Sequence, residues 1–174
     1  MDELTASARA AGWGDRAALI AFVRASQPDV WRLCAHLASR GEADDLTQET
    51  YARALRTLPR FRGDSSARTW LLAIARRTVA DAIRSSRRRR RLADQLRHPS
   101  QPAADPSASY EVQAALDTLD DDRRTAFVLT QVMGLTYAET AEVCGCAVGT
   151  IRSRVARARE ALVDALEHAE ADSR

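Results

Sequence analysis

The sequence predicts an all-α protein: two small helical domains joined by a flexible linker, the second containing a helix-turn-helix. Three observations lead there. Glycine and proline together number only 12 of 174 residues, about half the average share, so few positions interrupt a helix. Valine and isoleucine number 14 against 34 alanines, a balance that disfavours strands. Apolar residues recur at helical spacing on both sides of one stretch, 92–109, that carries Pro99, Pro102, Pro106 and several serines with almost no apolar bulk.

The first unit spans 15–91. From Asp15 to about Arg40, Leu19, Phe22, Val23, Val30, Leu33 and Leu37 fall at helical spacing, with an interruption expected near Pro28 and a stop at Gly41. A second helix starts near Glu42. Leu46, Thr50 and Ala54 share one side of it, while Asp45, Gln48, Glu49 and Arg53 face outward. Asp44 and Asp45 suit the dipole of the first turn, but the dipole does not account for a polar face reaching Arg53. Pro59 closes this helix, and 62–67 reads as a polar loop. A third helix turns Trp70, Leu71, Ile74, Thr78, Val79, Ala82 and Ile83 toward a core, and Trp70 is read as a packing residue.

The second unit spans 110–168. Val112, Leu116, Leu119, Phe127, Val128 and Met133 give a helical pattern broken at Asp120-Asp121-Asp122. Thr136 followed three residues later by Glu139 is a capping box. The short helix it opens ends near Cys144-Gly145-Cys146, and a longer helix runs from about Val148 to Leu166. Short helix, glycine-containing turn and longer helix form the helix-turn-helix plan. At 100° per residue Ile151, Val155, Ala158 and Leu162 fall within about 60° of one another. Thr150, Ser153, Arg154 and Arg157 lie opposite, with Arg152 and Arg159 at a flank, and acids begin only at Glu160. An ordinary amphipathic surface helix also fits the stripe. Exposed hydroxyl and guanidinium groups confined to the N-terminal turns fit a recognition helix in a major groove.

The formal net charge of +2 hides a segregated pattern. Residues 62–91 sum to +8 and 149–159 to +4, while 110–148 sum to −5 and the first 61 residues to zero. All 26 basic residues are arginine, which grips phosphate and guanine bidentately. A single basic island reads as a solvated face. Two islands on two helical units point to a polyanion gripped twice.

At this point the residues carry a resemblance. Ala43-Asp44-Asp45-Leu46-Thr47-Gln48-Glu49-Thr50-Tyr51, then Arg68-Thr69-Trp70-Leu71-Leu72-Ala73-Ile74-Ala75-Arg76 and Asp81-Ala82-Ile83-Arg84, resemble region 2 of the bacterial extracytoplasmic-function (group four) sigma factors. Thr136-Tyr137-Ala138-Glu139-Thr140-Ala141 through Gly149-Thr150-Ile151-Arg152-Ser153-Arg154 resemble region 4 of the same family. Both patterns, in order and with a linker between, cover roughly 15–168.

The resemblance implies a dissociable subunit that directs core RNA polymerase to promoters and assists strand opening. It implies polymerase docking by Asp44, Asp45, Gln48, Glu49 and Arg53 on the clamp helices, with the flap as a further polymerase contact. It implies capture of the unpaired minus-ten bases by the 62–69 loop and the arginine-bearing face: Arg62, Ser65, Ser66, Arg68, Arg76, Arg77, Arg84, Arg87 and Arg88. It implies reading of the minus-thirty-five element by Gly149, Thr150, Arg152, Ser153, Arg154, Arg157 and Arg159. One departure is Arg77, where the family commonly has asparagine. An anti-sigma protein is a further partner that the resemblance allows. The alternative function is a helix-turn-helix regulator without a sigma role, and an interaction adaptor would need the 44–53 face but not the basic islands.

Other functions find little support. His36, His98 and His168 are scattered, no glycine-rich phosphate loop exists, and no catalytic constellation is seen, so no enzyme activity is expected. Cys34, Cys144 and Cys146 provide no four-ligand zinc set, and neither metal nor cofactor is expected. An odd cysteine count suits a reducing cytoplasm. The acidic start is unlike a secretory signal, and the longest apolar run, Trp70 to Ala75, is far too short to span a bilayer, so no membrane contact is expected.

Overall fold

The computed structural model describes residues 2–94 and 114–172. Every regular element among them is helical. Helix α1 (Glu3–Gly12) is capped by Asp2, whose Oδ1 accepts from the Thr5 amide at 2.9 Å. Helix α2 (Arg16–Leu37) is capped by Asp15, which accepts from the amides of Ala17 and Ala18. Such caps satisfy amides that a helix start leaves unpaired.

Contrary to expectation, α2 runs through Pro28 without a break. Pro28 and Arg24, whose carbonyl the proline cannot bond, both lie on the exposed side of the helix. Phe22, Ser26, Val30, Leu33 and Leu37 are buried on either side of the proline and hold the helix to its neighbours. The helix ends at Leu37, ahead of Gly41, which lies in the turn to α3 (Ala43–Thr57).

Helix α3 buries Leu46, Thr50 and Ala54 as expected. A 3-10 turn, Leu58–Arg60, and a loop lead to α4 (Ala67–Asp94). Leu71, Thr78 and Val79 of the expected core face are buried; Trp70, Ile74, Ala82 and Ile83 are only half-buried. Leu72 and Ala75 are buried as well, because α4 is covered by α1, α2 and α3 and also by the second unit. Its backbone continues to Asp94, three residues into the stretch read as linker; 95–113 lie outside the described residues.

The second unit begins with a helical turn at 114–117 and continues with α5 (Asp121–Phe127), capped by Asp120 accepting from the Arg123 amide at 2.9 Å. A π-helical turn, Val128–Val132, follows directly and closes with the Met133 amide donating to the Val128 carbonyl. Helix α6 (Tyr137–Cys144) and α7 (Val148–Asp172) form the helix-turn-helix. Gly145 between them has φ 66°, a left-handed conformation that glycine adopts without a Cβ penalty. Ile151 and Val155 of α7 meet Ala126 and Ala141 in a small apolar cluster that fixes the motif.

The two units share a larger core. Leu116, Leu119, Leu129, Met133, Leu135 and Val143 join Phe22, Leu33, Leu71, Leu72 and Val79 in one apolar cluster. Burial of this kind supplies the main drive for helices that are marginal alone.

The capping box on α6 yields a first prediction. The Thr136 amide donates to Glu139 Oε2 at 2.8 Å, and the Glu139 amide donates to Thr136 Oγ1 at 3.2 Å. Thr136→Ala should lower unfolding free energy by about 1 kcal/mol in a urea titration. The Thr136 amide, then its hydroxyl, holds the Glu139 carboxyl below its ordinary value of 4.5. Its folded value is thus the lower one. The box contributes fully above pH 4.5 and loses its contribution as pH falls through the folded value, so the gap between variant and wild type should shrink on acidification.

Candidate nucleic-acid interface

The outward face of α3 carries Asp44, Asp45, Gln48 and Glu49, all exposed, and the half-buried Arg53. Two of these are held from outside the helix. The Trp31 indole of α2 donates to Asp44 Oδ1 at 2.8 Å. Arg53 bridges helices: Nε meets Glu49 at 2.7 Å and Nη1 meets Asp81 of α4 at 2.6 Å. Asp81 also pairs with Arg84 at 2.5 Å. Arg53 first, then Arg84, holds the Asp81 carboxyl below the usual carboxylate range. Arg53 therefore orients the acidic face against α4, while Asp45 and Gln48 stay open to a partner.

The loop expected over 62–69 ends at Ser66, because α4 begins at Ala67, and it is tied down from both ends. Thr5 Oγ1 of α1 accepts from the Ala67 amide at 2.9 Å. Ser66 Oγ accepts from the Thr69 amide at 3.1 Å and lies 2.8 Å from the Thr69 hydroxyl. Phe61 lies against Trp70 with ring centroids 4.9 Å apart, and Phe22 lies 6.5 Å away, so Trp70 is a packing residue as expected. Arg62 is exposed, and Ser65 and Ser66 are half-buried.

The arginines of α4 divide into two sets. Arg77 and Arg88 are exposed, and Arg84 pairs with Asp81. Arg68, Arg76 and Arg87 instead reach the second unit. Arg68 Nε pairs with Asp29 at 2.6 Å while Nη2 donates to the Met133 carbonyl at 2.9 Å. Arg76 donates to the carbonyls of Val143 and Cys144, both at 3.2 Å. Arg87 pairs with Asp121 at 3.0 Å.

On α7, Ile151, Val155 and Ala158 are buried, and Leu162 is half-buried. The opposite face presents Gly149, Arg152, Ser153, Arg157 and Arg159 to solvent, with Thr150 half-buried. Ser153 Oγ donates to the Thr150 carbonyl at 2.9 Å, and Arg159 donates to Gln131 Oε1 at 2.8 Å. Arg154 is the most enclosed of these arginines, tied to Asp122 at the start of α5 and 3.8 Å from Cys146 Sγ.

Burial pushes the Cys34 and Cys144 thiols up to about 11, so both stay protonated and behave as small hydrophobes. Among the described residues no group of three or more His, Cys, Asp or Glu side chains could hold a metal, and no helix is long and apolar enough to cross a membrane.

Sequence reasoning did not anticipate Trp31 beside Asp44, nor Asp29, Asp121 and Asp122 as partners of arginines. Arg68 and Asp29 are 39 positions apart, and Arg154 and Asp122 are 32 apart. No local pattern signals such pairs.

An acidic helix face, an arginine-lined helix and a helix-turn-helix with cations on its exposed turns define a DNA-binding protein with two helical units. Comparison specifies the class. Residues 22–89 match the family model for sigma-70 region 2, and residues 109–162 match that for sigma-70 region 4. The chain is 52% identical over 167 residues to the ECF RNA polymerase sigma factor SigC of Mycobacterium tuberculosis, covering 93% of this chain and 90% of that one. It is 42% identical over 124 residues to the ECF sigma factor EcfG of Rhodopseudomonas palustris, covering 69% and 68%. Its fold is similar to the sigma factor RpoE of Bartonella quintana solved with the anti-sigma factor NepR, with TM-score 0.72, 30% identity, and 83% and 94% of the two chains covered. The chain belongs to the extracytoplasmic-function sigma factors of the sigma-70 family, which direct RNA polymerase to promoters.

Proposed function

We propose that the two units divide promoter engagement, with 15–91 docking polymerase and holding the opened minus-ten element and 110–168 reading the minus-thirty-five element. The open face of Asp44, Asp45, Gln48 and Glu49 is set for the clamp helices, with Arg53 fixing its orientation. Arg62, Ser65, Ser66, Arg68, Arg76, Arg77, Arg84, Arg87 and Arg88 form the surface for the unpaired strand. Gly149, Thr150, Arg152, Ser153, Arg154, Arg157 and Arg159 form the surface for the upstream element. The observation that carries the reading is the exposed N-terminal part of α7: from Val148 to Arg159 it holds four arginines and no acid, on a helix seated through Ile151 and Val155. The chain acts in the cytoplasm, where polymerase is, and supplies specificity while polymerase does the chemistry.

Two consequences follow from the packed arrangement. DNA approaching α4 competes with the carbonyls of Met133, Val143 and Cys144 for Arg68 and Arg76. DNA approaching α7 competes with Asp122 for Arg154. Promoter engagement therefore replaces contacts of Arg68 and Arg76 between the units, and of Arg154 within the second unit, by contacts with phosphates and bases. The Bartonella relative, solved with an anti-sigma factor, supports an anti-sigma protein as a further partner. Selecting random DNA fragments with reconstituted holoenzyme tests the division of labour. Two short elements at a fixed spacing should be enriched; enrichment of a single element by the free chain would favour a helix-turn-helix regulator.

A further inference from the structure

We infer that Trp13 and the arginines around it form a stacking groove for unpaired promoter DNA next to the bases taken by the 62–69 loop. The inference rests on that reading of the loop and extends it to a segment outside the matched region 22–89. Trp13 caps α1 and is 85% exposed, more than any other large apolar side chain among the described residues. An indole left in water contributes nothing to the core, yet its backbone is fixed. The Trp13 amide donates to the Ala10 carbonyl at 3.1 Å, and Gly14 follows with φ 96°.

The surroundings of Trp13 are cationic. Arg9, Trp13, Pro59, Arg60, Phe61 and Arg62 line an open groove of about 640 Å³. Its two walls are held together at backbone level: a Cβ on Gly12 would lie 2.7 Å from the Leu58 carbonyl oxygen, so α1 can approach this closely only with glycine there. The Arg9 stem continues the groove into the loop, with Cδ 3.3 Å from where a Gly63 Cβ would lie. Phe61 packs against Trp70 in a tilted arrangement and is half-buried, so Trp13 is the ring of the groove most open to solvent.

An exposed indole flanked by guanidinium groups on a rigid frame suits one occupant above others. Bases of a single strand stack on aromatic faces with little regard to sequence, and arginines follow the phosphates. A paired duplex keeps its base faces covered and would gain only the charges. The groove also runs into the loop from which an opened strand would emerge.

The test uses holoenzyme on a promoter fragment pre-melted across the minus-ten element and its flanks. Trp13→Ala should shorten the open-complex lifetime about five- to 150-fold, the change expected for one lost base–aromatic stack. Trp13→Phe should restore most of it. An abasic nucleotide walked along the unpaired strand should destabilise the wild-type complex at one position next to the minus-ten bases, and that sensitivity should vanish in Trp13→Ala. Unchanged lifetime and abasic profile would overturn the inference. So would equal weakening of polymerase binding without DNA, which would make the groove a protein contact. Ser65→Glu separates the two layers. If it alters sensitivity at the minus-ten bases while Trp13→Ala alters nothing, the loop reading stands and the groove falls; if neither alters the profile, both fall.

Discussion

Gln48→Ala combined with Glu49→Arg should abolish co-purification with core polymerase and leave the far-ultraviolet circular dichroism spectrum unchanged. Both side chains are exposed on α3, and no buried group depends on either. Glu49 contributes one ion pair, to Arg53, which keeps its second partner Asp81 on α4. Placing a guanidinium one turn from Arg53 costs the fold only a few tenths of a kcal/mol, roughly the size of a like-charge pair at i,i+4. At a docked interface the same reversal opposes charge made to meet charge, a penalty of several kcal/mol and hence about a hundredfold or more in affinity. Retention of wild-type binding by the folded double variant would remove this face from the docking surface.

The second large effect belongs to the recognition helix. Arg154→Ala should change which upstream elements are transcribed, whereas Arg157→Ala should lower transcription across all of them. Arg154 lies nearer the helix N-terminus, and its guanidinium is already oriented by Asp122 beside the turn of the motif. The N-terminal turns of a recognition helix enter the major groove, where an arginine released to a base reads it bidentately, worth about 1–3 kcal/mol of discrimination at one position. Arg157 is exposed one turn further along, as suits a phosphate contact that reduces the salt slope by about one. Asp122→Ala frees Arg154 without removing it and should not weaken the element that Arg154 reads. The measurement is a library of minus-thirty-five variants transcribed by each mutant holoenzyme. Wild-type activity and preference in both arginine variants would show that this face does not read DNA.

Much of this architecture was legible because it is written locally. The capping box at Thr136 and Glu139, the glycine turn at Gly145 and the stripe of Ile151, Val155 and Ala158 each lie within a few residues, and the structure forms all three. The buried side of α3 was likewise a matter of period. Pro28 does not break α2 because its surroundings, not its propensity, decide there. The proline lies on the solvent side, and buried neighbours outweigh one lost hydrogen bond. Leu72 and Ala75 were missed because a second covering layer leaves no periodic trace of its own on α4.

The candidate site divides in the same way. Which residues are polar and outward could be read from spacing, and the family pattern gave them roles. What holds them could not. Arg53 links α3 to α4, Arg68 and Arg76 touch carbonyls 65 to 68 positions away, and Trp31 reaches across from α2 to Asp44. Each contact depends on how helices are placed in space, not on neighbouring sequence. Trp13 carried no periodic signal, and its environment becomes visible only when α1 is laid against the 3-10 turn.

The central claim is that this chain confers promoter-specific initiation on polymerase. Transcription reconstituted from purified core polymerase and this chain, on templates carrying the selected two-element sequence, tests it most directly. Initiation at a defined start site is expected only when the chain is added, and is lost when either element is scrambled. Binding to the template without any new chain-dependent start site, in the presence of active core polymerase, would contradict it.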